Sequence, residues 1–171
     1  ERLPLIDAVF TATSAVCVTG LIVRDTATYF SVFGQLIIVA LIQVGGLGIM
    51  TFSVALTVLL GRRMDIGQRA VLQDALDHDT LAGVRRLIRF IVLMTLSFEL
   101  LGAMGLFLSW QADFESVSAA AYHALFHAVS AFCNAGFSTF SDSLVGFGDN
   151  VGVNMVVCGL IVFGGLGFAV I

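Results

Sequence analysis

Phe126-His-Ala-Val-Ser-Ala-Phe-Cys-Asn-Ala-Gly-Phe137 decides the fold, because the chain has already used the pattern once, as Phe10-Thr-Ala-Thr-Ser-Ala-Val-Cys-Val-Thr-Gly-Leu21. Six of the twelve positions are identical: Phe, Ala, Ser, Ala, Cys and Gly. The offset is 116 residues, from Gly20 to Gly136. A second match follows each copy, Gly45-Gly46-Leu47-Gly48 and Gly164-Gly165-Leu166-Gly167, at an offset of 119 residues. Two ordered matches at nearly one offset indicate a duplicated unit.

The surrounding composition gives the environment. The chain has 171 residues, 58% hydrophobic and 12% charged. Its mean hydropathy is +1.02. Soluble domains carry about 25% charge. Three apolar stretches, roughly Phe30 to Leu60, Leu87 to Trp110 and Val151 to Ile171, each reach the about 20 residues that cross a bilayer. Two shorter ones run from Leu3 to Ala15 and from Val117 to Phe132. As helices of about 13–16 residues they cover only about 20–24 Å, too little for a crossing. Short apolar helices beside long ones suggest re-entrant segments, which need protein or a water-filled cavity around their non-helical backbone. The fold expected is an all-α membrane protein of repeated helix–pore loop–helix units. Residues 1–60 hold the pore helix, loop and inner helix of a first unit. Residues 61–86 form a connection, and residues 87–171 a second unit.

Six of the eight Arg lie between Gly61 and Arg89, and there is no Lys. By the positive-inside rule this connection faces the cytoplasm. Two spans separate the two loops, so both open on the outer face and the repeat is parallel. The first unit lacks a leading helix, and the last span stops four residues past Gly167. Truncation at both ends is therefore expected.

Several function classes drop out. A net charge of −4 gives no basic face for nucleic acid. Cys17, Cys133 and Cys158 have no CxxC spacing, so neither a disulfide framework nor a zinc knuckle is expected. His123 and His127 stand at i, i+4, a zinc-like spacing, but the first copy answers them with Asp7 and Thr11, so no metal centre is expected. No nucleophile–base–orienter set and no GxxxxGK loop occur, so no enzyme and no bound cofactor are expected.

The remaining chemistry lies in Cys17-Val18-Thr19-Gly20 and Cys133-Asn134-Ala135-Gly136, small or modest side chains ending in Gly directly after short helices. A cation entering a narrow pore sheds water, and backbone carbonyls can replace its hydration shell. Carbonyls face an axis only where the backbone takes unusual dihedrals, which Gly tolerates. The helix ends add partial negative charge. These eight residues form the expected ion filter, with K+ held by the carbonyls of Val18, Thr19, Gly20, Asn134, Ala135 and Gly136. The competing reading makes Gly20 and Gly136 plain helix C-caps. Asp25 and Asp142 follow the filters by five and six residues and would concentrate cations at the outer mouth. Glu99 lies within a span and is either a structural hydrogen-bond partner behind a pore helix or a group near the ion path. The glycines at 45, 46 and 48 suit close helix packing, or a hinge.

The two filter stretches, with Gln43-Val-Gly-Gly-Leu-Gly-Ile-Met-Thr-Phe52 between them, resemble the Trk/Ktr/HKT superfamily of potassium transporters, most of all the membrane subunit of bacterial Ktr-type systems. The resemblance covers nearly the whole chain. It implies four potassium-channel-like units around one pore, with Gly20 and Gly136 as filter glycines of the first and second. It also implies a multi-pass protein in lipid at the cell membrane, a homodimer, and a cytoplasmic nucleotide-binding regulatory subunit for which the Gly61–Arg89 connection is a plausible contact. K+ is the implied transported ion, with Na+ as a coupling ion in a symporter. The alternatives are a sodium-permeable relative and a non-conducting membrane scaffold.

Overall fold

The computed structural model describes residues 3–59, 80–114 and 116–166. They form helices α1 (Leu5–Val16), α2 (Val32–Leu59), α3 (Thr80–Trp110), α4 (Val117–Phe132) and α5 (Val151–Leu166), with a 3-10 turn at Val145–Phe147. The described residues are helix and loop throughout, as the sequence predicts. The two short helices are there. α1 starts after Pro4 and runs one residue past Ala15, and α4 has the bounds read from sequence. Among the described residues one stretch, Ile88–Trp110, is long and apolar enough by itself to cross a membrane. Most of the Arg-rich connection, residues 60–79, lies outside the described residues, as does the chain after Leu166.

Local capping repeats along with the sequence. Ser31 Oγ accepts the Gly34 amide at 3.3 Å, and 119 residues later Asn150 Oδ1 accepts the Val153 amide at 3.2 Å. Each inner helix thus begins with a polar side chain satisfying one of its free N–H groups. Ser116 does the same for α4, accepting the Ala119 amide at 3.2 Å.

Packing then sets each short helix against the long helix that follows it. α1 packs on α2, while α4 packs between α3 and α5. The decisive contact is the same in both units. A Cβ on Gly45 would overlap the carbonyl of Val16, the last residue of α1. A Cβ on Gly164 would overlap the carbonyl of Phe132, the last residue of α4. The glycine pairs therefore seat the ends of the short helices, which the small-residue packing reading anticipates and the hinge reading does not. Around α4 the core is Ile91, Leu106, Trp110, Ala124, Ala128, Phe132, Val153 and Leu160. A second core, Ala15, Ile38 and Ile42 with Phe126, Val129, Cys133, Ala135 and Phe137, joins the two units.

Because the overlapping atom is backbone, it cannot rotate away. Gly45→Ala or Gly164→Ala in the full-length parent should cost about 1–3 kcal/mol, as overpacking does. The check is the melting temperature of the purified protein in detergent. An unchanged value would contradict so close a seat.

Candidate functional site: two helix-terminated loops

Both short helices end in one hydrogen-bond pattern. In the first unit the Thr19 amide donates to the Ser14 carbonyl at 3.0 Å and the Val18 amide to Ala15 at 3.2 Å. In the second the Ala135 amide donates to Ser130 at 2.7 Å and the Asn134 amide to Ala131 at 3.0 Å. This is a Schellman motif, in which the left-handed residue is the one just past the cap. That residue is Val18 (φ 49) in the first unit and Asn134 (φ 59) in the second. The C-cap reading of the glycines is thereby corrected. The cap residues are Cys17 and Cys133, and Gly20 and Gly136 lie beyond the motif.

The glycines are left-handed for another reason. Gly20 has φ 71 and Gly136 φ 73, two residues after the first positive φ. Among the described residues only Ser143 also combines a side chain with a positive φ. A β-branched residue in this region is an outlier, and holding Val18 there costs about 1–3 kcal/mol. The loops also touch. A Cβ on Gly20 would lie 2.6 Å from the Ala135 carbonyl oxygen and 3.3 Å from the Gly136 Cα. The predicted residues of the two copies, far apart in sequence, are thus brought backbone to backbone at their glycine ends.

Side chains fix the loops from behind. Ser14 Oγ and Thr19 Oγ1 are 2.9 Å apart, and Ser130 Oγ donates to the Phe137 carbonyl at 2.6 Å. The histidines belong to the same scaffold. His127 Nδ1 lies 2.7 Å from the His123 carbonyl, which can only accept, so Nδ1 carries the hydrogen. Nε2 then accepts from the Ser138 hydroxyl at 2.9 Å. His123 Nδ1 is 2.6 Å from Thr139 Oγ1. Phe140 stacks on both rings, with centroids at 5.0 and 4.7 Å. The pair therefore ties α4 to the chain leaving the second loop.

The two acids predicted for the outer mouth differ in placement. Asp25 accepts from the Ala27 amide at 2.9 Å and from Thr28 Oγ1 at 3.0 Å, and Ser141 donates to it from the other unit. The Ser141 hydroxyl first, and then the Ala27 amide, hold its carboxyl below the usual carboxylate range. Asp142 is exposed beside the turn that follows. Asp7 and Arg24 form an ion pair at 2.9 Å. Glu99 is 3% exposed and accepts from Gln43 Nε2 at 3.2 Å, with Cys133 Sγ at 3.9 Å. The structural reading of Glu99 has its hydrogen-bond partner in Gln43, next to Cys133 at the end of α4.

One residue escaped the sequence reading. Gln35, 6% exposed, donates through Nε2 to the carbonyls of Thr26 (2.8 Å) and Phe30 (3.2 Å), and its Oε1 accepts from the Tyr122 hydroxyl. It joins the loop exit of the first unit to α4 of the second. Its signal was a polar amide inside an apolar stretch, which alone names no partner.

The model of the TrkH cation transport proteins matches residues 1–171. The chain belongs to this family. It is 44% identical over 171 residues to the Ktr system potassium uptake protein B of Bacillus subtilis, all of this chain and 38% of that protein. It is 42% identical over 169 residues to the protein of the same name from Vibrio alginolyticus, 99% of this chain and 37% of that one. The Enterococcus hirae potassium/sodium uptake protein NtpJ is 40% identical over 170 residues, 99% of this chain and 38% of that one. The chain thus spans under two fifths of the length of these relatives. TrkH membership places the chain in a family of cation transport proteins and not of enzymes.

Replacing Gln35 separates a clamp from a bystander. Gln35→Leu strands the Tyr122 hydroxyl and the carbonyls of Thr26, Ala27 and Phe30, and a buried polar group left unpaired costs about 1–3 kcal/mol. Tyr122→Phe removes only one partner. Thermal unfolding of the full-length parent should therefore show the larger loss for Gln35→Leu, and equal losses would contradict the clamp.

Proposed function

We propose that this chain supplies two of the loops that line a potassium path through the cell membrane. One observation carries the reading: two short helices end in the same Schellman motif, and the loops that follow meet at left-handed glycines. Such an ending leaves the last helical carbonyls directed along the helix axis, where partial negative charge favours a cation. A positive φ at alternate residues, Val18 and Gly20 or Asn134 and Gly136, breaks the strand's usual alternation of carbonyl directions, which is what gathering carbonyls on one side requires. Carbonyls gathered on one side can replace a cation's water. Val18, Thr19, Gly20, Asn134, Ala135 and Gly136 are the proposed K+ ligands, with Cys17 and Cys133 as the residues that end the helices. Asp25 and Asp142 are the proposed outer-mouth acids.

On this reading residues 1–60 and 87–171 are successive units of a multi-pass protein, joined by a cytoplasmic connection at 61–86. The relatives are named as uptake proteins, two of them as components of a Ktr system. That supports uptake as the direction and a component that works with other subunits; the homodimer and the nucleotide-binding regulatory subunit belong to the same proposal. One relative's name includes sodium, which favours testing Na+ as a second or coupling ion.

The test is uptake of each ion alone by potassium-uptake-deficient cells carrying the full-length parent. Gly20→Ser or Gly136→Ser, each forcing a side chain into a left-handed position between the loops, should lower the K+ over Na+ preference by about tenfold or more, the equivalent of about 1.4 kcal/mol. Undiminished K+ uptake with unchanged preference would overturn the filter reading.

A further inference from the structure

The two loops are equivalent in backbone but not in what holds their first residue. Cys17 is exposed, whereas Cys133 is 5% exposed. The Cys133 thiol is wedged against α2, where a Cβ on Gly46 would lie 2.6 Å from its sulfur. On its other side stands Glu99 of α3, with Oε1 3.9 Å from that sulfur. The second carboxyl oxygen, Oε2, receives Gln43 Nε2 at 3.2 Å. Gln43 and Gly46 lie three residues apart on α2, on one helical face. An inner helix of the first unit, the leading helix of the second and the start of the second loop therefore converge on one carboxyl group.

Gln43 Nε2 donates to Oε2, and the Cys133 thiol lies at the long end of a sulfur contact with Oε1. A carboxyl group inside a span is costly and persists where it does something. Cys133 is the cap residue of α4, so its position sets where the loop Cys133–Gly136 begins.

We propose that Glu99 is a positioning residue for the second loop: by holding the Cys133 thiol against α2, it sets the ion preference of the path. The proposal rests on the filter reading above. Selectivity depends on the mutual placement of carbonyls around the ion, so a small displacement of the loop's first residue changes the preference before it changes the fold.

The experiment uses the full-length parent reconstituted in lipid vesicles, with KM for K+ and for Na+ measured separately. Glu99→Gln sets an amide N–H against one of the two donors. The ratio of the two KM values should move toward Na+ by about three- to tenfold, the size expected for loss of one hydrogen bond of ordinary strength. Cys133→Ala should move it the same way, and the double variant no further, because both act on one contact. A loss of transport rate or of protein in the membrane with an unchanged ratio would overturn the proposal, as would additive shifts. If Glu99→Gln protein does not accumulate, an unchanged ratio in Cys133→Ala alone overturns it. Gly136→Ser separates the two layers. If that variant leaves the ratio unchanged, the filter reading fails. If it shifts the ratio while Glu99→Gln does not, only the positioning role fails.

Discussion

Everything in the site depends on one steric seat, the carbonyl at the end of each short helix resting on a glycine of the next long helix. Val16 rests on Gly45 and Phe132 on Gly164. No side chain fits between them, so the helix end has one depth and one direction. The Schellman motif then turns the chain at a fixed point, and the left-handed glycines follow two residues on. Depth of the helix end, start of the loop and approach of the two loops are consequences of the same contact. That links a packing rule for small residues in membranes to the placement of backbone carbonyls.

The second layer is polar and joins the units. Gln35 reaches Tyr122, Ser141 reaches Asp25, and Gln43 reaches Glu99, each bond crossing from one unit to the other. In the apolar surroundings of Gln35 and Gln43 such bonds carry direction that dispersion cannot. They fix how one loop is rotated against the other, whereas the shared apolar core of Ile38, Ile42, Phe126 and Phe137 supplies the cohesion. Strain at Val18 is tolerated because the motif on one side and the Ser14–Thr19 pair on the other over-determine it.

The sequence made the elements legible because its signals were local. Helix bounds at Val117 and Phe132 follow from apolar run length, and the Gly45 and Gly164 pairs from spacing. The cap assignment failed because Gly is the usual left-handed residue after a helix, and here Val18 and Asn134 hold that position. Valine gives no sequence signal for it, since only the tertiary setting makes it bearable. The roles of Gln35 and the two histidines were equally hidden, and so was the partner of Glu99. A polar residue in an apolar run announces that a partner exists, yet the partner stands up to 87 residues away.

On the proposed function a cation sits between the two loops on backbone oxygen. Anomalous diffraction from crystals of the full-length parent grown with thallium(I), a cation of potassium-like size, tests it most directly. A thallium peak is expected between the carbonyls of Val18 to Gly20 and those of Asn134 to Gly136. Thallium bound in the crystal but absent from that position would contradict it.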